Sequence, residues 1–207
     1  MVIYYVEYEG KGGMFLENRG MVETENWRVA QETREKEKGL YATEIQIDTP
    51  EKTLTAATES NVFTTWITEV PIKEKDDIYL LKKYMPYPKI DANAVNSVAD
   101  NIGDRGILRT HVYGYGQPGC WQDACCLYGT TNMIYMAYDD PGWLHELLQI
   151  LLEKKLAWIE DLRGIKYDII ELGGGDASDT VISPSMFEEF VLPYESKLVD
   201  ALHAVGL

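Results

Sequence analysis

Three polar side chains that can take part in chemistry follow a run of glycines. Asp176, Ser178 and Asp179 come directly after the three glycines at 173–175. A carboxylate in a cleft can orient an amine or a pyrrole, and it can hold a proton where its pKa is raised. Asp176 is therefore the first candidate catalytic residue, Glu171 just before the glycines is the second, and Ser178 is a candidate substrate-binding residue. A plain polar loop explains the same residues as well.

A second glycine-rich loop, residues 114–119, adds three candidate substrate-binding residues: His111, Tyr113 and Tyr115. Aromatic side chains beside a pocket more often line it than take part in catalysis. A histidine inside a strand is more often hydrogen-bonded in the core or lining a barrel than a ligand. The direction of the Glu171 side chain is open. Because side chains alternate along a strand, it faces either the candidate site or a helix.

The cysteines and histidines, three of each, lack the spacing of a metal site. Zinc needs about four nitrogen, sulfur or oxygen donors in a tetrahedral arrangement. Cys125 and Cys126 are adjacent, so on a helix their side chains point about 100° apart. Cys120 does not share a helix face well with Cys125 either. We predict that this chain binds no transition metal and carries no cofactor of its own.

The candidate residues must be positioned by two strands. Residues 167–172 and 107–112 are short, apolar and rich in β-branched side chains, which is typical of strands covered on both faces. The long helical stretch between them supplies the crossover that a parallel pair needs. Ligands bind beyond the carboxyl ends of such strands. We therefore expect Asp176 to face a pocket close to residues 114–119.

The N-terminal half has a different pattern. Alternating apolar and polar residues at 40–48 and 53–59, joined by a turn at 49–52, predict a β-hairpin, and residues 62–70 predict a further strand. The highly charged residues 23–38 predict an exposed helix or a mobile excursion. We divide the chain into residues 1–105, with the hairpin and short helices, and residues 106–207, with the β/α elements, within a single domain.

Helices account for most of the remainder. Residues 76–84 and 91–102 are predicted to be short helices, and residues 121–136 a helix with a break at Gly129. Asp140 and Pro141 form a helix start signal, as do Ser183 and Pro184. The last helix, residues 184–204, is predicted to kink at Pro193.

Composition excludes several classes of protein. The 207 residues carry a net charge of −15 and are 45% hydrophobic. Such an acidic chain is repelled by nucleic acid and by anionic membrane surfaces. The longest apolar runs fall short of the ~18 residues of a membrane span, and three cysteines do not make a disulfide framework in a chain of this length. A reducing cytoplasm is the expected location.

Four segments together resemble the uroporphyrinogen decarboxylase superfamily. Residues 48–55 resemble its Thr-Pro-Glu-Gly-Thr-Leu hairpin, with Lys52 in place of the glycine. Residues 69–78 resemble the segment that leads to the next helix. The most specific segment is residues 182–194, Ile-Ser-Pro-Ser-Met-Phe-Glu-Glu-Phe-Val-Leu-Pro-Tyr. Residues 198–206 resemble the helix end that follows it.

The resemblance implies an α/β fold that is part of a TIM-like (β/α)8 barrel, with the antiparallel β-hairpin as an insertion near the N-terminus. One branch of the family decarboxylates the acetate arms of uroporphyrinogen III to give coproporphyrinogen III, without a cofactor, using an arginine-rich motif and a cleft aspartate. The other branch uses zinc to transfer a methyl group between a corrinoid and a thiol. Residues 172–178 and 113–120 depart from the decarboxylase pattern, so the chain resembles the methyltransferase branch more closely.

Both branches have motifs that this chain lacks. The arginine motif belongs upstream of the matching segments, and the zinc ligands belong downstream of them. His203 lies on the last helix and is not one of those ligands. The resemblance therefore implies an internal piece of a barrel, with zinc expected in a full-length methyltransferase relative. Three functions stay open: corrinoid-linked methyl transfer to a thiol, tetrapyrrole decarboxylation, and a non-catalytic binding or assembly module.

The expected partners follow from these alternatives. They are a small molecule or a tetrapyrrole or corrinoid ligand, and a corrinoid protein. A piece of a barrel leaves helix faces bare, so we also expect association with a second copy of the chain or with the remainder of the barrel. Six residues are expected to be partly exposed for this reason: Leu144, Leu147, Leu151, Phe187, Phe190 and Leu198.

Overall fold

Seven strands form two separate sheets in the part of the chain that the structure describes. The computed structural model describes the backbone of Val2–Tyr5 and all of residues 22–207. The strands are β1 (Val2–Tyr5), β2 (Arg28–Glu37), β3 (Leu40–Asp48), β4 (Thr53–Ser60), β5 (Thr65–Glu69), β6 (Gly106–His111) and β7 (Ile169–Glu171).

The first sheet is parallel, in the order β1-β6-β7. Strand β6 pairs with β7 in a register that places His111 opposite Glu171. The predicted parallel pair is thereby confirmed. On one face of β6, Leu108 and Thr110 are buried. Because side chains alternate along a strand, Arg109 and His111 lie on the other face.

The second sheet is antiparallel, in the order β2-β3-β4-β5. Strands β3 and β4 form the predicted hairpin. Its turn is closed by Thr49, whose hydroxyl donates to the carbonyl oxygen of Lys52 at 2.7 Å and accepts from the Lys52 amide at 3.1 Å. Strand β5 lies within the segment predicted as the next strand. The chain is thus a mixed α/β protein with an antiparallel unit beside a parallel sheet.

The helix predicted for residues 23–38 is wrong, because most of that segment is strand β2. Helix propensity favours its Glu, Arg and Lys residues, but pairing with β3 overrides that preference. The hydroxyl groups of Thr33 and Thr43 lie 2.8 Å apart across the pair, and Arg34 donates to Glu44 at 2.8 Å. Charged side chains on an edge strand of this kind discourage pairing with other chains.

The helices match the predicted positions closely. They are α1 (Asp77–Tyr84), α2 (Ala92–Ile102), α3 (Cys120–Tyr128), α4 (Thr130–Asp139), α5 (Pro141–Glu160), α6 (Pro184–Met186) and α7 (Leu192–Ala204). Gly129, with φ of +94°, separates α3 from α4. The Asp140 carboxylate accepts from the Trp143 amide at 3.1 Å and caps α5. No helix in the described ranges is long and apolar enough to cross a membrane.

The last helical region is irregular at the predicted place. Ser183 accepts from the Met186 amide at 3.3 Å and caps α6. A π-helical segment, Phe187–Val191, then leads into α7. Pro193 has no amide hydrogen for the carbonyl of Glu189, so a regular α-helical bond cannot form there, and the wider π turn accommodates the break.

The core is centred on α5, and this overturns the expected exposure of the helix faces. Leu144, Leu147, Leu151, Phe190 and Leu198 are all at most 2% exposed, and only Phe187 of the six residues is partly exposed. Helices α1, α3, α4 and α7 cover α5, so these side chains are packed within the chain itself. Association with a second copy or with further barrel strands stays a prediction.

Candidate functional site

The loops after β6 and β7 lie at the same edge of the parallel sheet, because parallel strands end on the same side. The glycines allow the second loop to approach helix α3. Gly174 has φ of +159°, and a Cβ atom there would lie 2.0 Å from the side-chain amide carbon of Gln122. Only glycine is compatible with both the backbone conformation and this contact. The glycine run therefore brings Asp176 next to α3.

Helices α3 and α4 hold Asp176 in place. It lies in a short 3-10 turn, Gly175–Ala177. The indole nitrogen of Trp121 donates to its carbonyl oxygen at 3.1 Å. The hydroxyl of Thr130 donates to its Oδ1 at 3.2 Å. The described residues offer Oδ2 no further hydrogen bond, so this oxygen is available to a ligand.

Asp176 lines a cavity of about 420 Å3, which we call the Asp176 cavity. Strand β5 forms one side, the loop after β6 another, and the junction of α3 and α4 the third. The lining residues include Trp66, Ile67, Val70, Gln117, Cys126 and Thr130. The structure thus places Asp176 beside the loop at 114–119, where the sequence predicts a pocket. Its role in catalysis stays a prediction.

The cysteines of this cavity do not form a zinc site. Cys125 is buried, and its burial raises the pKa of the thiol above the ordinary value, with the negative charge of Asp176 acting in the same direction. Cys125 and Cys126 are adjacent on α3, so their side chains diverge by about 100° and do not converge on one ion. In the described ranges, no group of three or more histidine, cysteine, aspartate or glutamate side chains could hold a metal ion. The zinc implied by the methyltransferase branch does not fit these residues.

Glu171 and His111 lie away from the Asp176 cavity. Glu171 is ion-paired with Arg109 on the face of the parallel sheet opposite the buried Leu108 and Thr110. His111 Nδ1 is 3.5 Å from Glu171 Oε2. Partial burial, followed by the Arg109 charge, lowers the pKa of His111. Of the two open alternatives for Glu171, the candidate site is not the one observed, because its side chain lies on the sheet face of Arg109 and His111 and pairs with Arg109.

The other predicted binding residues do not line the Asp176 cavity either. Tyr113 and Tyr115 are each 6% exposed and belong to the core. The Tyr113 ring packs on Trp158 with the ring centroids 5.8 Å apart. The hydroxyl of Ser178 is 2.8 Å from that of Thr180, within its own loop. The two tyrosines are thus packed in the apolar core. Of the six predicted site residues, only Asp176 lines the cavity.

A buried ion pair that sequence reasoning missed fixes the loop after β6. Lys155 on α5 donates to Asp123 Oδ2 at 2.9 Å and to the carbonyl oxygen of Tyr113 at 2.7 Å. Asp123 Oδ1 accepts from the Gly116 amide at 2.9 Å. Lys155 and Asp123 are each 1% exposed. The pair therefore ties the start and the middle of the loop that carries Gln117 to helices α3 and α5.

The sequence did contain a signal for this pair. Lys155 follows Leu151 by four residues and precedes Ile159 by four, so it stands in the middle of the apolar stripe of α5. A lysine on a buried stripe requires a partner. Asp123 stands likewise among apolar residues of α3, seven of whose nine residues are buried.

Glu195 on α7 is partly buried against the start of α3. Its Oε1 accepts from the Cys120 amide at 2.8 Å. Burial raises the pKa of Glu195, while the Cys120 hydrogen bond and Lys155 act against the rise and Asp123 adds to it. A carboxyl group whose pKa is higher in the folded state stabilises the fold below its unfolded pKa. That stability is lost as pH rises through the folded pKa.

We expect Glu195→Gln to raise the free energy of unfolding at pH 7, because glutamine keeps an acceptor for Cys120 without a buried charge. The difference from wild type should disappear below about pH 4, where the unfolded carboxyl is protonated. Urea unfolding between pH 3.5 and 7.5 measures it, with Glu188→Gln, at an exposed site, as control. A variant less stable than wild type at pH 7 would show that the charged form is the one the fold prefers.

Comparison with known proteins gives one match. The family model for uroporphyrinogen decarboxylase (URO-D) matches residues 67–207. No curated protein and no solved structure shows a significant match to the chain. The matched range runs from within β5 to beyond α7, and it includes Asp176, Thr130, Gln117 and the Lys155–Asp123 pair. Since it spans well over half of the sequence, the chain belongs to the uroporphyrinogen decarboxylase family.

Proposed function

We propose that this protein is a methyltransferase-type member of the family and that the Asp176 cavity binds its small substrate. The methyl group would pass between a thiol and a corrinoid carried by a partner protein. The observation that supports this most is the charge of the cavity wall. Among the described lining residues, Asp176 is the only one with an ionisable carboxyl group, and none is a lysine or an arginine.

A decarboxylase for uroporphyrinogen has a different requirement. Its substrate carries several carboxylates, which proteins usually bind with arginine or lysine because these supply charge-assisted hydrogen bonds. A cleft aspartate is also a decarboxylase feature, but among the described lining residues no lysine or arginine accompanies Asp176 to bind an acetate arm. The net charge of −15 adds a general repulsion. A small thiol carries less negative charge, so it fits this wall better.

The residues of the cavity have distinct parts in this proposal. The Thr130 hydroxyl holds Asp176 Oδ1, which leaves Oδ2 to accept a hydrogen bond from the substrate. Ile67 and Val70 supply an apolar wall, which limits the access of water to the substrate. Gln117, held by the Lys155–Asp123 pair through its loop, offers an amide to a polar substrate group. The metal that activates a thiol in this branch finds no fitting ligand set among these residues.

Decarboxylation remains the second candidate because of one feature of the parallel sheet. Arg109 and His111 lie on the same face of β6, with their side chains 23% and 21% exposed. A guanidinium there can bind a carboxylate bidentately. Glu171 already pairs with Arg109, so a substrate carboxylate would have to displace it. The non-catalytic module is the third candidate.

An activity assay separates the three. The full chain is incubated with methylcobalamin, zinc and a panel of small thiols, and separately with uroporphyrinogen. We expect thiol-dependent loss of methylcobalamin, followed by its absorbance, and no release of carbon dioxide. Coproporphyrinogen formation would establish decarboxylation instead. Inactivity in both assays, with the chain shown to be folded, would favour the binding module.

A further inference from the structure

The wall of the Asp176 cavity combines one carboxylate, one exposed aromatic ring and apolar side chains. Trp66 is 36% exposed and lines the cavity from strand β5, while Asp176 lines it from the loop after β7. Asp176 makes no ion pair with any residue in the described ranges, and its Oδ2 has no hydrogen bond there. An unpaired carboxylate at the edge of a partly apolar cavity attracts positive charge.

The described residues around the cavity leave that negative charge uncompensated. The Cys125 thiol is kept protonated by its burial and by Asp176 itself. Lys73, whose ammonium group reaches the carbonyl oxygen of Val70, is paired with Glu69 at 2.7 Å. Among the described residues, this nearby cationic charge is therefore already engaged, so a cationic ligand can supply the counter-charge of Asp176.

Trp66 adds a second group that attracts positive charge. The face of an indole ring attracts ammonium groups, most of all methylated ones, through its quadrupole. A carboxylate and an indole that line the same cavity as Ile67 and Val70 suit a small molecule with a positive end and an apolar body. A cavity of about 420 Å3 is of the size that holds such a molecule.

We infer that the Asp176 cavity selects small organic cations, so that the substrate carries an ammonium or a quaternary ammonium group. This deepens the proposed function, on which it rests: the thiol substrate carries the cation, either as a plain ammonium group of an amino thiol or as a methylated amine. The two sources share the positive nitrogen, and they differ in the number of methyl groups on it.

Calorimetric titration of the full chain tests the inference with matched ligands. Choline is compared with its neutral isostere 3,3-dimethylbutan-1-ol, and cysteamine with 2-mercaptoethanol. We expect each cation to bind at least about tenfold more tightly than its neutral counterpart. A larger preference for choline would point to a methylated amine, and a larger preference for cysteamine to an amino thiol.

Variants locate the effect. The preference should be lost in Asp176→Asn and reduced in Trp66→Leu. It should persist in Asp179→Asn, which removes the same charge from an exposed site in the same loop, and in Tyr135→Leu, which removes an exposed ring from α4. Equal binding of cation and isostere by wild type would overturn the inference, as would a preference unaffected by Asp176→Asn.

Failure of this inference can be distinguished from failure of the proposed function. Methyl transfer without a preference for cations would leave the function standing and remove the inference. Selective cation binding without methyl transfer would support the inference about the cavity and contradict the methyltransferase proposal. Circular dichroism of each variant shows that lost binding is not lost folding.

Discussion

Replacing Lys155 with methionine is expected to lower the free energy of unfolding by about 3–5 kcal/mol, the range for breaking a buried ion pair from one side. Methionine matches the length of the lysine stem but leaves the Asp123 carboxylate buried without its cation. It also removes the donor to the Tyr113 carbonyl oxygen. The Asp123 bond to the Gly116 amide does not replace what is lost.

Urea unfolding at pH 7 measures this change. The control is Lys166→Met, which removes an exposed lysine paired with Asp100 at 2.6 Å and should cost at most about 1 kcal/mol. Both variants remove one lysine from one ion pair, so the large difference between them follows from the burial of Lys155 and from its further bond to the Tyr113 carbonyl oxygen. Similar midpoints for both would mean that Lys155 is not buried with Asp123 in solution.

Replacing Asp176 with asparagine is expected to lower kcat/KM for methyl transfer by about 100-fold, as for the loss of a positioned acid–base group. Asparagine is isosteric and still accepts the Thr130 hydroxyl through its amide oxygen. What it lacks is the charge and the second acceptor oxygen that a bound substrate would use. The loss should therefore appear in catalysis, with little change in stability.

Asp179→Asn is the matched control for that variant. It makes the same chemical change three residues further along the chain, at an exposed position outside the cavity. Its kcat/KM should stay within about threefold of wild type, since the charge it removes is screened by solvent. Equal losses in the two variants would indicate a general effect of loop charge and would contradict a specific role for Asp176.

Local signals were sufficient to predict much of the fold. The parallel pairing of β6 and β7 followed from two short apolar runs separated by helices, since a crossover of that length restricts the pairing. The caps at Asp140 and Ser183 were predictable because both residues precede a proline and their side chains bond within their own turn. Asp176 was found because glycines after a buried strand mark a βα loop.

Contacts between distant segments account for what the sequence did not predict. Strand β2 is stabilised by β3, so the helix propensity of its charged residues did not decide its structure. Tyr113 was expected at a pocket, but Trp158, 45 residues later in the chain, packs on its ring in the core. The Lys155–Asp123 pair joins two helices. The sequence of α5 shows that Lys155 needs a partner, but it does not show that Asp123 of α3 is that partner.

The most direct test of the substrate site uses the indole signals of the five tryptophans. Trp66 lines the Asp176 cavity, and the Trp121 indole donates to the Asp176 carbonyl oxygen. Trp143 donates to the Lys75 carbonyl oxygen, and Trp158 packs in the core.

The measurement is a 1H–15N spectrum of the full chain during titration with cysteamine, with each signal assigned by a tryptophan-to-phenylalanine variant. We expect the signals of Trp66 and Trp121 to move together with one dissociation constant, while those of Trp143 and Trp158 stay in place. Binding that shifts Trp143 or Trp158 and leaves Trp66 unchanged would place the ligand elsewhere and contradict the assignment of the site to the Asp176 cavity.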